Sequence, residues 1–197
     1  RTIELNPTNT EARRDYAMAL FEIGDADNAL EHLIKVLNQE PTNAWALVLV
    51  GNIFFNVKKD HSTAEKYFLS ALTHKPDDVY ALSNYASVLA HTFRLDEAIP
   101  KFEAAILSDP DYPNSYYGLA LTHCNSGNAE KAQEVIEQLF ERPKSKDQRS
   151  NNVYSEARRL YGATQEALAK RNEPVARNLV ERLRAEVATR TGTDIEI

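Results

Sequence analysis

The side chains that could do chemistry here are five histidines, His32, His61, His74, His91 and His123, one cysteine, Cys124, and 29 carboxylates. Two metal ligands on one helix face need a spacing of three or four residues, and no two of these histidines have it. His123 and Cys124 are adjacent, so on a helix they point apart. There is no glycine-rich phosphate loop, no HExxH and no CxxC, and the six glycines are scattered. These residues therefore predict a chain that is not an enzyme and holds no cofactor and no metal. What remains is binding chemistry. Trp45, Phe55, Tyr80 and Tyr117 offer rings to pack on side chains, and Asn52, Asn84 and Asn114 offer amides that can hold a peptide backbone.

The elements that must position these residues are legible around Val79 to Tyr112. Leu82, Tyr85, Ala86 and Leu89 recur at three- and four-residue steps, as do Ala98, Phe102, Ala105 and Ile106. Each set makes one apolar stripe on a short helix. Two helices cannot cover both stripes, so the pair needs neighbours of its own kind. They are present in register. An alanine recurs at Ala29, Ala64, Ala98 and Ala132, in steps of 35, 34 and 34 residues, and a proline at Pro7, Pro41, Pro76 and Pro110, in steps of 34, 35 and 34. Bulky residues fall between them at Leu33, Phe68, Phe102 and Ile136. The first helices carry the pairs Tyr16-Ala17, Val50-Gly51, Tyr85-Ala86 and Leu119-Ala120. A small residue lets two backbones approach, and a large one fills the space beside it.

In this pattern the chain resembles the tetratricopeptide repeat family, whose 34-residue unit has a small residue eighth, an alanine twentieth, an aromatic twenty-fourth and a proline thirty-second. The resemblance implies an all-α, right-handed α-α superhelix, a solenoid of about four to five helix pairs. The expected units are 10–43, 44–78, 79–112 and 113–141. The tail of a preceding repeat comes before them at 1–9. After them come a polar loop at 142–152, a degenerate fifth pair at 153–190 and a tail at 191–197. That last pair either caps the stack or links to a following domain. Unit two has one residue too many: Gly51 and Phe54 keep register while Ala64 and Pro76 run late, which puts the extra residue between Val57 and Thr63.

A net charge of -6 argues against nucleic-acid or membrane partners, and no apolar run approaches the roughly 20 residues that span a bilayer. The single cysteine excludes an internal disulfide and favours a reducing, cytoplasmic setting. Charge is uneven: residues 142–190 hold 12 basic and 6 acidic side chains, leaving 11 and 23 elsewhere. These are either solvated faces, or an acidic body that meets a basic segment of a partner or of a second copy packed head to tail. Arg1 is not a methionine, and the chain reads as a piece of a longer protein.

In a superhelix of helix pairs the first helices line the concave side. Their second, fifth, ninth and twelfth residues are expected to look inward. The expected partner-binding residues are Arg14, Met18, Trp45, Val48, Asn52, Phe55, Tyr80, Ser83, Asn84, Ser87, Asn114, Tyr117 and Leu121. Arrays of this type that grip acidic chaperone tails use five residues. A lysine and an asparagine lie in one first helix, an asparagine in the next, and a lysine and an arginine in the third. Asn52 and Asn84 match the asparagines, but the basic positions hold Val48, Asn114 and Gly118. Without a cation a terminal carboxylate has little to hold it. The expected function is a protein-protein interaction scaffold that binds a peptide or partner segment in its groove. The alternative is a regulatory or substrate-docking arm of an enzyme whose catalytic domain lies beyond Arg1 or Ile197. A third expectation is self-association through the open first end, at Ile3 and Leu5.

Overall fold

The structure, a computed structural model, describes residues 9–142 and 151–171. Among them the chain is all helical and without strands: α1 (Thr10–Glu22), α2 (Ala26–Gln39), α3 (Ala44–Ile53), α4 (His61–His74), α5 (Val79–His91), α6 (Leu95–Ser108), α7 (Pro113–Asn125), α8 (Ala129–Glu141) and α9, over 151–171. The expected tails 1–9 and 191–197 (Asn9 apart), loop residues 143–150, the second helix of the last pair, and Ile3 and Leu5 lie outside the described residues. Asn151 and Asn152, expected in the loop, already belong to α9, whose first turn therefore starts two residues before the expected 153.

The helices start where the sequence supplies a short polar cap. Asn9, Asp25, Asn43, Asp60, Asp78 and Asn128 each accept a hydrogen bond from a backbone N–H three residues on. Such a cap satisfies one of the donors a helix leaves open at its first turn. Pro113 opens α7 instead, at a position where a missing N–H costs nothing. Between the two helices of each unit the chain turns through one left-handed residue: Gly24 (φ 88°), Lys59 (φ 56°), Phe93 (φ 60°) and Gly127 (φ 77°).

Lys59 also locates the extra residue of unit two. It already stands 35 residues after Gly24, so the insertion precedes it. The last turn of the first helix widens into a π-turn over Phe54–Lys58. Within the expected span only Val57 and Lys58 take part; the rest of the wide turn lies upstream. A residue added inside a helix keeps its backbone bonded by widening one turn, whereas the sequence pattern shows only that register is lost somewhere after Phe54.

The core is the seam between small and large residues. Ala29, Ala64, Ala98 and Ala132 are fully buried, as are Leu33, Phe68 and Ile136, and Phe102 is 1% exposed. A Cβ added at Gly51 would stand 2.5 Å from the Phe68 ring, and one at Gly118 would collide with Phe102. Each glycine is therefore the socket of a phenylalanine. The α9 helix continues the stack: Tyr154 and Ala157 join the same core as Tyr116, Leu119 and Ile136. Its polar edge is tied to α8 by the Tyr161 hydroxyl, which donates to Glu137 at 2.8 Å, and by Arg171, paired with Glu130 at 2.8 Å.

Candidate groove across the first helices

Each first helix touches the next: α1 meets α3, α3 meets α5 and α5 meets α7. Together they form one continuous layer. The expected partner-binding residues lie along it, but not all at its surface. Val48, 7% exposed, belongs to the buried core, and Ser83, 3% exposed, is also buried. Both sit fifth in a helix flanked by first helices on two sides, so neighbouring helices take the solvent away. The fifth residues of the outer units stay half-buried: Arg14 in α1 and Tyr117 in α7.

The remaining residues form three groups. At the first end the Arg14 guanidinium lies 5.3 Å from the centre of the Trp45 ring, a cation–π contact that joins units one and two. Met18 packs against the same core as Trp45. Next to them stands a small polar pocket lined by Thr10, Glu11, Arg14, Glu40 and Asn43. Hydrogen bonds from Thr10 and Asn43 hold the Glu40 carboxyl below its ordinary pKa.

In the middle, Asn52 is half-buried and its Oδ1 is buried without a hydrogen-bond partner. Asn84 and Ser87 are half-buried, and the Ser87 hydroxyl donates to the Ser83 carbonyl at 2.9 Å. Phe55 is not free. Its ring packs between His61, at 5.4 Å, and His91, at 5.2 Å.

In the last third, Tyr80 is 52% exposed and Leu121 39%. Tyr80 is braced edge-on by Tyr112, with ring centres 5.1 Å apart, and the Asn114 amide donates to the Tyr112 hydroxyl at 2.9 Å. Tyr112 is a residue that the sequence pattern did not single out. It precedes the first helix of unit four, outside the repeat positions that face the groove. Tyr117 has its phenol pushed above the ordinary pKa, first by burial and then by the Glu156 charge on α9.

The socket at Gly118 bears on the chaperone-tail pattern. A basic side chain there would have to displace the Phe102 ring, and Val48 is inside the core. Two of the three cation positions are thus closed by packing.

Apart from these groups, α6, α7 and α8 border a cleft of about 540 Å³ whose lining includes Ile99, Ile106, Leu107, Val135 and His123. Leu107 is 85% exposed. Burial first, and then Lys131, lowers the His123 pKa from its ordinary value.

Among the described residues no group of three or more histidines, cysteines and carboxylates is placed to hold a metal, and no helix is long and apolar enough to cross a membrane. Profiles of the tetratricopeptide repeat match residues 58–116 and 93–147. The human protein O-mannosyl-transferase TMTC3 is 28% identical in an alignment 194 residues long that covers 91% of this chain and 21% of that protein. The chain spans about a fifth or less of the length of the curated relatives it matches. Among solved structures, the MamA protein shares the fold with a TM-score of 0.64 at 20% identity, over 95% of this chain and 98% of its own. The TPR2B domain of yeast Sti1, solved as a complex with pHsp70, gives a TM-score of 0.55 at 27% identity. That match covers 63% of this chain and 97% of the domain.

Proposed function

The chain belongs to the tetratricopeptide repeat family, whose repeats build protein-interaction scaffolds, and we propose on that premise that it binds an extended peptide across its first-helix layer. The observation that carries this reading is the exposed ring of Tyr80, held edge-on by Tyr112, whose hydroxyl accepts from Asn114. A braced aromatic loses little side-chain freedom when a ligand packs on it, which is why such rings dominate binding energy. Asn52 adds a reason for a polar ligand. Its amide and that of Asn84 are half-buried along the same layer, where amides can donate to and accept from a peptide backbone.

The Sti1 domain was solved as a complex with pHsp70, which supports a peptide or protein segment as the ligand class. An acidic chain terminus held by the chaperone-type clamp is not part of the proposal, because packing closes positions 48 and 118. On this reading the chain itself performs no catalytic step.

A second reading keeps the groove and places it in service of an enzyme. The sequence match to a transferase extends across 91% of this chain but 21% of that protein, as a docking arm attached to a catalytic domain would show. Both readings share one test. Binding of a captured partner should weaken in an Asn52→Ala, Asn84→Ala double variant that keeps its helical signal, and unchanged affinity would refute amide-held peptide binding. Self-association through the first end remains a separate proposal, to be tested by light scattering over a concentration series.

A further inference from the structure

The fold brings together two histidines that sequence spacing keeps 30 residues apart. His61 is the first residue of α4 and His91 the last residue of α5. The two helices run antiparallel, so both side chains arrive at the same edge of the solenoid, where units two and three meet. Their ring centres are 5.6 Å apart at an interplanar angle of 76°, and Phe55 from the π-turn packs against both. His61 is half-buried and His91 exposed, so the pair is supported from below by an apolar ring and open above.

We infer that His61 and His91 form a two-imidazole site for a late first-row divalent cation of the zinc, nickel or copper type. Imidazole is a preferred ligand of these ions. Two imidazoles on one tetrahedral ion, each at a metal–nitrogen distance of about 2.0–2.1 Å, hold their ring centres roughly 5 Å apart. The observed ring-centre separation of 5.6 Å is close to this, and a rotation of the edge-to-face rings turns a nitrogen of each toward a shared ion. Among the described residues no third histidine, cysteine or carboxylate completes a ligand group. Water, or a side chain from a bound partner, therefore takes the remaining positions. An ion held here cross-links the start of α4 to the end of α5 and so ties one repeat to the next.

Zinc chloride titrated calorimetrically into the 197-residue chain, in a buffer that does not chelate metal, is expected to show one saturable site. Loss of a supporting partner alone costs a metal site about 10–100-fold in affinity. His61→Ala and His91→Ala should therefore each weaken zinc binding by roughly ten-fold or more. His74→Ala, at the other end of α4, should leave it unchanged. The melting temperature should rise with zinc in the parent and not in the two variants. His61→Gln serves as a second variant that retains volume and polarity if His61→Ala lowers the helical signal. Absence of a saturable site overturns the inference, as does binding that survives the loss of either histidine.

Discussion

The seam inside the units and the layer across their first helices pass through the same four repeats, yet their residues follow opposite rules. At the seam the twentieth position is alanine every time, and the twenty-fourth is Leu33, Phe68, Phe102 and Ile136. On the first-helix layer the ninth position is Met18, Asn52, Ser87 and Leu121, and the second is Glu11, Trp45, Tyr80 and Asn114. Seam residues are fixed by the neighbour they must fit, and a solenoid presents the same neighbour at every step. Layer residues meet a different surrounding in each unit. Repetition therefore marks what holds the stack together, and variation marks where a ligand could be recognised.

The largest break in this comparison should come from the seam. Phe102→Ala removes a ring seated against Gly118 and is expected to cost about 3–5 kcal/mol, read from chemical denaturation. Ala98→Leu forces volume into a fully buried position and should cost roughly 1–3 kcal/mol. Gly118→Ala pits a clash with Phe102 against the better helix propensity of alanine, which is worth about 1 kcal/mol. A net loss of stability is expected; a gain would mean that the ring moves aside freely.

Acid sharpens the same contrast. His32 and His123 both have folded pKa values below 6.5, through burial first and through Lys35 and Lys131 next. As pH falls below about 6.5 the unfolded chain takes up protons that the folded chain refuses, so stability should drop in that window. A His123→Gln variant should show a shallower slope there. The smallest effect is expected on the layer: Tyr80→Ala, at a half-exposed ring that gives up one edge-on contact with Tyr112, should cost no more than about 1 kcal/mol.

The seam was legible because its markers repeat. One alanine and one proline at a common period placed the helices, and Asx caps mark where six of the first eight begin. The layer was legible only in outline. Helical position says which way a side chain points, but neighbouring helices decide whether that direction is open, so Val48 and Ser83 were expected at the surface and are buried. The π-turn at Phe54–Lys58 escaped because an inserted residue shifts register identically whether a helix or a loop absorbs it. The His61–His91 contact escaped because spacing rules compare residues within one helix.

The measurement that tests the account most directly is the affinity of a captured partner for two variants with unchanged melting. One is altered in the layer, Tyr80→Ala with Leu121→Ser, and the other at the cleft, Leu107→Ser. The account predicts that the layer variant weakens binding by roughly ten-fold or more, the scale of a lost interface anchor, while the Leu107 variant binds like the parent. Undiminished binding by the layer variant together with loss in the Leu107 variant would contradict it and move recognition to the cleft bordered by α6, α7 and α8.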